Sequence, residues 1–214
     1  MSRLAVHAVL FDMDGTLVDS TPIVEIAWGH FAAKYSLDAR EILATSHGVK
    51  AIDSIVRFGP VGIDGEAEAA EMAAFEVENL DGVVEISGAV AFSRAIPTGK
   101  FAIVTSAPRE LALLRLVHCG FELPSVVVTA EDVANGKPHP EPYTLAATTM
   151  GIDPAQCVVF EDAPAGIRSG LAAGMQVVVV GAVDDPIADG LPRISDYSEV
   201  SVEAGSGQGF TIVL

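Results

Sequence analysis

Five short runs of apolar, mostly β-branched residues punctuate the chain: HAVLF at 7–11, FAIVT at 101–105, SVVVT at 125–129, CVVF at 157–160 and QVVVV at 176–180. Each run is nearly continuous rather than alternating, a pattern that suits a strand buried on both faces. Amphipathic stretches such as Arg109–Cys119 and Pro140–Met150 lie between several of them. Strands of this kind alternating with helices predict a parallel sheet covered on both sides, an open doubly wound (Rossmann-like) α/β fold. In such folds ligands bind beyond the carboxyl ends of the strands.

Residues 17–84 break this rhythm. They contain no convincing parallel strand and read as helices over Thr21–Tyr35, Asp38–Leu43, Lys50–Phe58 and, in an acidic, alanine-rich stretch, Gly65–Leu80. The segment is too long for a simple connection between the first two strands. It reads as a small α-helical cap domain inserted into the sheet domain, which then comprises residues 1–16 and 85–214. The expected hinges are Val18–Ser20 and Val84–Gly88. The last stretch, Glu199–Leu214, has apolar arms around a Gly-Ser-Gly-Gln-Gly centre, as in a terminal hairpin or a loose tail.

Composition narrows the function. Half of the residues are hydrophobic, enough for a real core, and no apolar run reaches the length of a membrane span. The expectation is a soluble, cytoplasmic protein, with a monomer favoured and no membrane partner. The net charge of −17 argues against a nucleic-acid partner. It also opposes any anionic substrate. Charges beyond roughly 8 Å are largely screened at cellular salt, so local cations would have to override it. Cys119 and Cys157 are the only cysteines and read as small buried hydrophobes without metal or disulfide spacing.

The first core strand runs into Asp12-Met13-Asp14-Gly15-Thr16. Side chains two residues apart at a strand end can face the same way, and a following glycine lets the backbone approach a ligand. Two carboxylates so placed suit a nucleophile, Asp12, beside a proton carrier, Asp14. Alone, the motif also fits an Asp-Gly turn. Thr105 and Ser106 end the next core strand, where hydroxyls and free N–H groups can bind phosphate or simply cap a helix. Lys137 stands in a loop punctuated by Gly136, Pro138 and Pro140, suited to balancing a transferring phosphoryl group, whereas His139 reads as structural. Glu161 and Asp162 follow the apolar strand CVVF, where adjacent acids suit a hard cation such as Mg²⁺.

With these four motifs in order, the chain resembles the haloacid dehalogenase-like hydrolase superfamily over nearly its whole length. Three segments, SHGVKAIDSI (46–55), GKPHPEPY (136–143) and VVFEDAPAGI (158–167), are similar to those of its glycerol-phosphate, 2-deoxyglucose-6-phosphate and related sugar phosphatases. The resemblance implies a Mg²⁺-dependent phosphatase of small polyol or sugar phosphates working through an aspartyl-phosphate. Asp12 would be the nucleophile and Asp14 the general acid/base. Phosphate would rest on Thr105, Ser106, Gly15 and Lys137. Mg²⁺ would bind Asp12, the Asp14 backbone carbonyl, Asp162 and, directly or through water, Glu161. His47, Gly48, Lys50 and Trp28 are the expected specificity residues of the cap. The second aspartate, Asp14, argues against a dehalogenase or a phosphonoacetaldehyde hydrolase. A β-phosphoglucomutase-like activity is the alternative. Ala51 stands where mutases carry a phosphate-gripping arginine, and Lys50 beside it is the possible substitute. A catalytically idle binding protein is the remaining alternative.

Overall fold

The computed structural model describes residues 2–205 and 209–214. The chain begins with strands β1 (Arg3–Val6), β2 (Ala8–Phe11) and β3 (Val18–Asp19), then helices α1 (Thr21–Tyr35), α2 (Ala39–Ser46), α3 (Ala51–Phe58) and α4 (Gly65–Glu78). Next come β4 (Val84–Glu85), α5 (Ala89–Ala95), β5 (Phe101–Val104), α6 (Arg109–His118), β6 (Val127–Val128), α7 (Glu141–Met150) and β7 (Cys157–Glu161). The chain closes with α8 (Pro164–Ala172), β8 (Gln176–Val180), β9 (Arg193–Ile194), β10 (Ser201–Ala204) and β11 (Phe210–Val213).

Six strands form one sheet in the order β6-β5-β2-β7-β8-β9, and every pairing in it is parallel. From the central β2 the chain moves outward through β5 to β6, then returns to β7 on the other side. The direction of winding therefore reverses around β2, which opens a crevice at its carboxyl end. The continuous apolar runs are explained by cores on both faces. Val9, Phe11, Ile103, Val158, Phe160 and Val178 pack on one face, and Ala8, Leu10, Ala102, Val104, Val159 and Val177 pack on the other. Phe11 anchors an aromatic cluster on the first face, with ring centroids 5.3 Å from Phe160 and 5.9 Å from Phe92.

The edges differ from the sequence expectation. The run at 125–129 forms only the two-residue edge strand β6; so short an edge presents little unpaired backbone. The run at 7–11 pairs from Ala8 onward, and the residues before it form a separate strand. That strand, β1, joins β11 and β10 in a three-stranded antiparallel sheet. The apolar arms of the terminal segment thus pair with each other, while residues 206–208 at its centre lie outside the described residues. Cys157 is buried as expected, but Cys119, at the end of α6, is only half-buried.

The helices between β3 and β4 pack around a cluster of their own, built on Trp28, Phe31, Ile42, Ile55 and Met72. Helix α1 has the expected bounds. Helix α2 runs three residues past Leu43, capped by Asp38, whose carboxylate accepts from the Arg40 N–H at 2.9 Å. Lys50 is the residue before α3 rather than its first turn, and α4 stops at Glu78, short of Leu80. The two crossings to the main sheet run side by side, with Val18 paired to Glu85 and Asp19 to Val84. Among the described residues no helix is long and apolar enough to cross a membrane.

Candidate active site

The crevice at the end of β2 gathers the residues singled out in the sequence. The Asp12 N–H still follows the sheet, donating to Phe160 O at 3.1 Å, and its side chain is buried. The chain then turns tightly: the N–H groups of Thr16, Leu17 and Val18 all converge on Met13 O. Gly15 sits at φ +84°, and a Cβ there would lie 2.0 Å from Asp162 Oδ2, so only glycine lets the two loops meet. The turn leaves the Asp14 carboxylate partly open to the cleft. Its Oδ1 accepts from Ser20 Oγ at 2.6 Å and from Arg115 Nη1 at 2.9 Å.

Lys137 is fully enclosed. Its Nζ donates to Asp12 Oδ1 at 2.5 Å, Glu161 Oε1 at 2.7 Å and Val104 O at 2.9 Å, which uses all three protons. Tyr143 supports the pair, donating to Glu161 Oε1 at 2.9 Å while its ring lies 5.1 Å from Nζ. The other Glu161 oxygen accepts from the N–H groups of Asp162 (3.0 Å) and Ala163 (3.1 Å). Four donors therefore occupy Glu161, which fixes Lys137 and the following turn. Glu161 nevertheless keeps an oxygen close to those of Asp12 and Asp162, the trio expected around a metal directly or through water. Asp162 reaches the other way, with Oδ1 accepting from Thr16 Oγ1 at 2.9 Å.

Asp12, Glu161 and Asp162 bring oxygens within 4.8 Å of one another. Burial pushes the Asp12 carboxyl up to about 7; Lys137 opposes the shift, and Glu161 and Asp14 add to it. Burial, then Asp12 and Glu161, hold Asp162 well above the usual carboxylate range. Burial works against the Lys137 charge, but Asp12 and Glu161 outweigh it and raise its pKa. The site is short of positive charge. Its donors are all hard oxygens, which fits a Mg²⁺-type cation held by Asp12 and Asp162. The Asp14 carboxylate is outside this cluster, turned toward Ser20 and Arg115.

Thr105 and Ser106 follow β5 and line the same cleft of about 370 Å³, with His47, Gly48 and Trp28 from the helical segment. Thr105 Oγ1 accepts from the Ala107 N–H at 3.0 Å, a capping role that leaves its own proton free to face the cleft. Ser106 Oγ donates to Gly48 O at 2.8 Å and ties the α2–α3 loop to the sheet. Trp28 is both core and lining, since it packs edge-on against Phe31. His139 does not line this cleft; its Nδ1 accepts from the Glu141 N–H at 3.2 Å. Lys50 departs from expectation. It does not line this cleft; its amine donates to Val133 O at 2.7 Å, on the loop that leads to Lys137.

Sequence reading missed Arg115, Glu76, Ser20, Thr16 and Tyr143. Arg115 carried a legible signal: on α6 it shares the buried face with Leu111, Ala112 and Leu116, where an apolar residue is the norm. Glu76 lies within a run of similar acids on α4, so nothing local marks it out.

The haloacid dehalogenase-like hydrolase family matches the chain over residues 6–174. Hexitol phosphatase A of Escherichia coli is 44% identical over 198 residues, covering 89% of this chain and 88% of its own. Glycerol-1-phosphate phosphohydrolase 2 of Saccharomyces cerevisiae is 37% identical over 193 residues, 85% of this chain and 77% of its own. The crystal structure of CbbY from Rhodobacter sphaeroides in complex with phosphate superposes with a TM-score of 0.77 at 21% identity. It covers 91% of this chain and 96% of that one, a likeness of fold. The chain belongs to the haloacid dehalogenase-like hydrolase family, among relatives that are phosphatases.

Proposed function

We propose that this hydrolase is a Mg²⁺-dependent phosphatase of small polyol or sugar phosphates, working through an aspartyl-phosphate on Asp12. One observation carries the reading. Asp12 is buried at the foot of the cleft with Oδ1 held by Lys137 at 2.5 Å, and Asp14 opens into the same cleft two residues on. Asp12 Oδ2 attacks phosphorus and the bond to the leaving oxygen breaks as Asp14 hands that oxygen a proton. Asp14 then takes a proton from water, which attacks the same phosphorus and frees both inorganic phosphate and the Asp12 carboxylate. Lys137 balances charge at Asp12, and the Thr105 hydroxyl and the Ser106 backbone N–H meet the phosphoryl oxygens, whereas the Gly15 N–H is spent on Val18 O at 2.7 Å. Asp12 and Asp162 would hold Mg²⁺, which would supply the positive charge that this cluster of carboxylates lacks. Glu161 acts behind them by fixing Lys137.

In this reading residues 17–84 form a cap over a core of residues 1–16 and 85–214, and His47, Gly48 and Trp28 face the substrate. The two relatives described above bear the names of hexitol and glycerol phosphate enzymes, and the cleft volume suits compact substrates of that kind. Hexitol phosphates are the first choice. The mutase alternative rests on Lys50 standing in for a cap-loop arginine, and the bond from Lys50 to Val133 O supports hydrolysis over it.

The test is phosphate release from hexitol 6-phosphates, glycerol phosphates, hexose 6-phosphates, phosphoglycolate and β-glucose 1-phosphate, with Mg²⁺ and with EDTA. Mg²⁺-dependent release concentrated on polyol or hexose phosphates is expected. Conversion of β-glucose 1-phosphate to the 6-phosphate without release would overturn the assignment in favour of a mutase.

A further inference from the structure

We propose that Arg115 is a positioning residue for Asp14, itself set by Glu76 on α4, so that the proton carrier is aligned only when the helical segment is seated on the sheet. This rests on the acid/base role of Asp14 given above.

Of the 12 lysines and arginines in the chain, Arg115 and Lys137 are the ones buried among the described residues. Lys137 serves Asp12. Arg115 serves Asp14: Nη1 donates to Asp14 Oδ1 at 2.9 Å, and Nη2 bonds Glu76 Oε2. Ser20 Oγ donates to the same Oδ1 at 2.6 Å. Asp14 Oδ2 accepts no protein hydrogen bond among the described residues. Two donors on one oxygen leave the other to carry the transferable proton, so the carboxyl has an anchored oxygen and a working one. The guanidinium thereby joins the β2 turn, α6 and α4 at a single point.

The cost of this arrangement argues for function. Among the described residues Arg115 Nε is buried with no hydrogen-bond partner, on a helix face where Leu or Met would pack without desolvating a charge. An anchor chosen for stability alone would be apolar.

The leaving group supplies the test. An alkyl phosphate needs its leaving oxygen protonated, whereas p-nitrophenolate departs without help. kcat/KM, which reports formation of the aspartyl-phosphate, is measured for sorbitol 6-phosphate and p-nitrophenyl phosphate with wild type, R115K, E76Q and the charge-balanced double variant R115M/E76M. For the double variant the expected loss is about 10²-fold on the alkyl ester and under about tenfold on the aryl ester. R115K and E76Q should move in the same direction by less. Equal losses on both esters, or none on either, would overturn the proposal. Residual aryl activity shows that the variant is folded. Asp14→Asn is the control. If its loss is no greater on the alkyl ester than on the aryl ester, the acid role fails and takes this proposal with it; a greater alkyl loss there, with none in the Arg115 variants, sinks the positioning role alone.

Discussion

Lys137 Nζ and Asp12 Oδ1 are 2.5 Å apart across 125 residues of chain, and both side chains are almost wholly excluded from solvent. The same amine holds Glu161 at 2.7 Å, so two buried carboxylates share one cation. Lys137 keeps its charge here because the two carboxylates outweigh the cost of its burial, and it in turn offsets part of the cost of burying Asp12.

Lys137→Met should therefore damage both stability and catalysis. Leaving Asp12 and Glu161 without their cation is expected to cost about 3–5 kcal/mol, measured by urea denaturation. Activity should fall by about 10²–10³-fold, the range for loss of one charge-stabilising donor. A variant as stable and active as wild type would remove Lys137 from the centre of the site.

Asp12→Asn should abolish turnover while keeping the fold, because the amide oxygen still accepts from Lys137 and no buried charge is left unpaired. Circular dichroism and phosphate release check the two halves separately. Near-normal activity would overturn Asp12 as nucleophile.

Metal binding should be linked to pH through Asp12. Its carboxyl titrates near 3.9 in the unfolded chain and at about 7 in the metal-free fold. Below about pH 4 it is neutral in both states and opposes nothing. Between about 4 and 7 the unfolded chain ionises first, so this group's contribution to metal-free stability declines as pH rises, levelling off above the folded value. Mg²⁺ favours the ionised form. The rise in melting temperature on adding Mg²⁺ should therefore be larger at pH 8 than at pH 5.5. A shift of the same size at both values would show that the ion does not meet Asp12.

Gly166→Ala should destabilise by about 3 kcal/mol or more. A Cβ at this position would lie 1.5 Å from Glu161 Oε1, an oxygen pinned by Lys137 and Tyr143 and unable to yield cheaply. Thermal melting with and without Mg²⁺ tests this; a wild-type melting temperature would show that the Glu161 network can relax.

Lys50→Ala should lower kcat/KM by a similar factor for every substrate, leaving their ranking unchanged. The amine clasps Val133 O rather than a substrate group, so its loss loosens the seat of the helical segment as a whole. A reordered ranking across the substrate panel would return Lys50 to the cleft.

The sequence alone determined the centre of the parallel sheet, though not its edge strand β9 or the separate antiparallel sheet, because a continuous run such as QVVVV has one comfortable home, a strand covered on both faces. It also determined the ends of those strands as the place for chemistry. Asp12, Thr105 and Asp162 each stand just past such a run, and their convergence follows from parallel strands side by side. Local sequence also marked the helical segment, through helical periods and a length that no loop would need. It did not determine which of two loop lysines would be enclosed. Lys50 and Lys137 both stand near loop glycines, yet one amine meets a backbone carbonyl and the other meets two carboxylates. Nor did it determine that Glu161 would be spent on four donors, or that Arg115 and Glu76, 39 residues apart in sequence, would meet over Asp14. Side-chain pairing between distant elements depends on crossing angles and packing of whole helices, and only the assembled tertiary structure decides those.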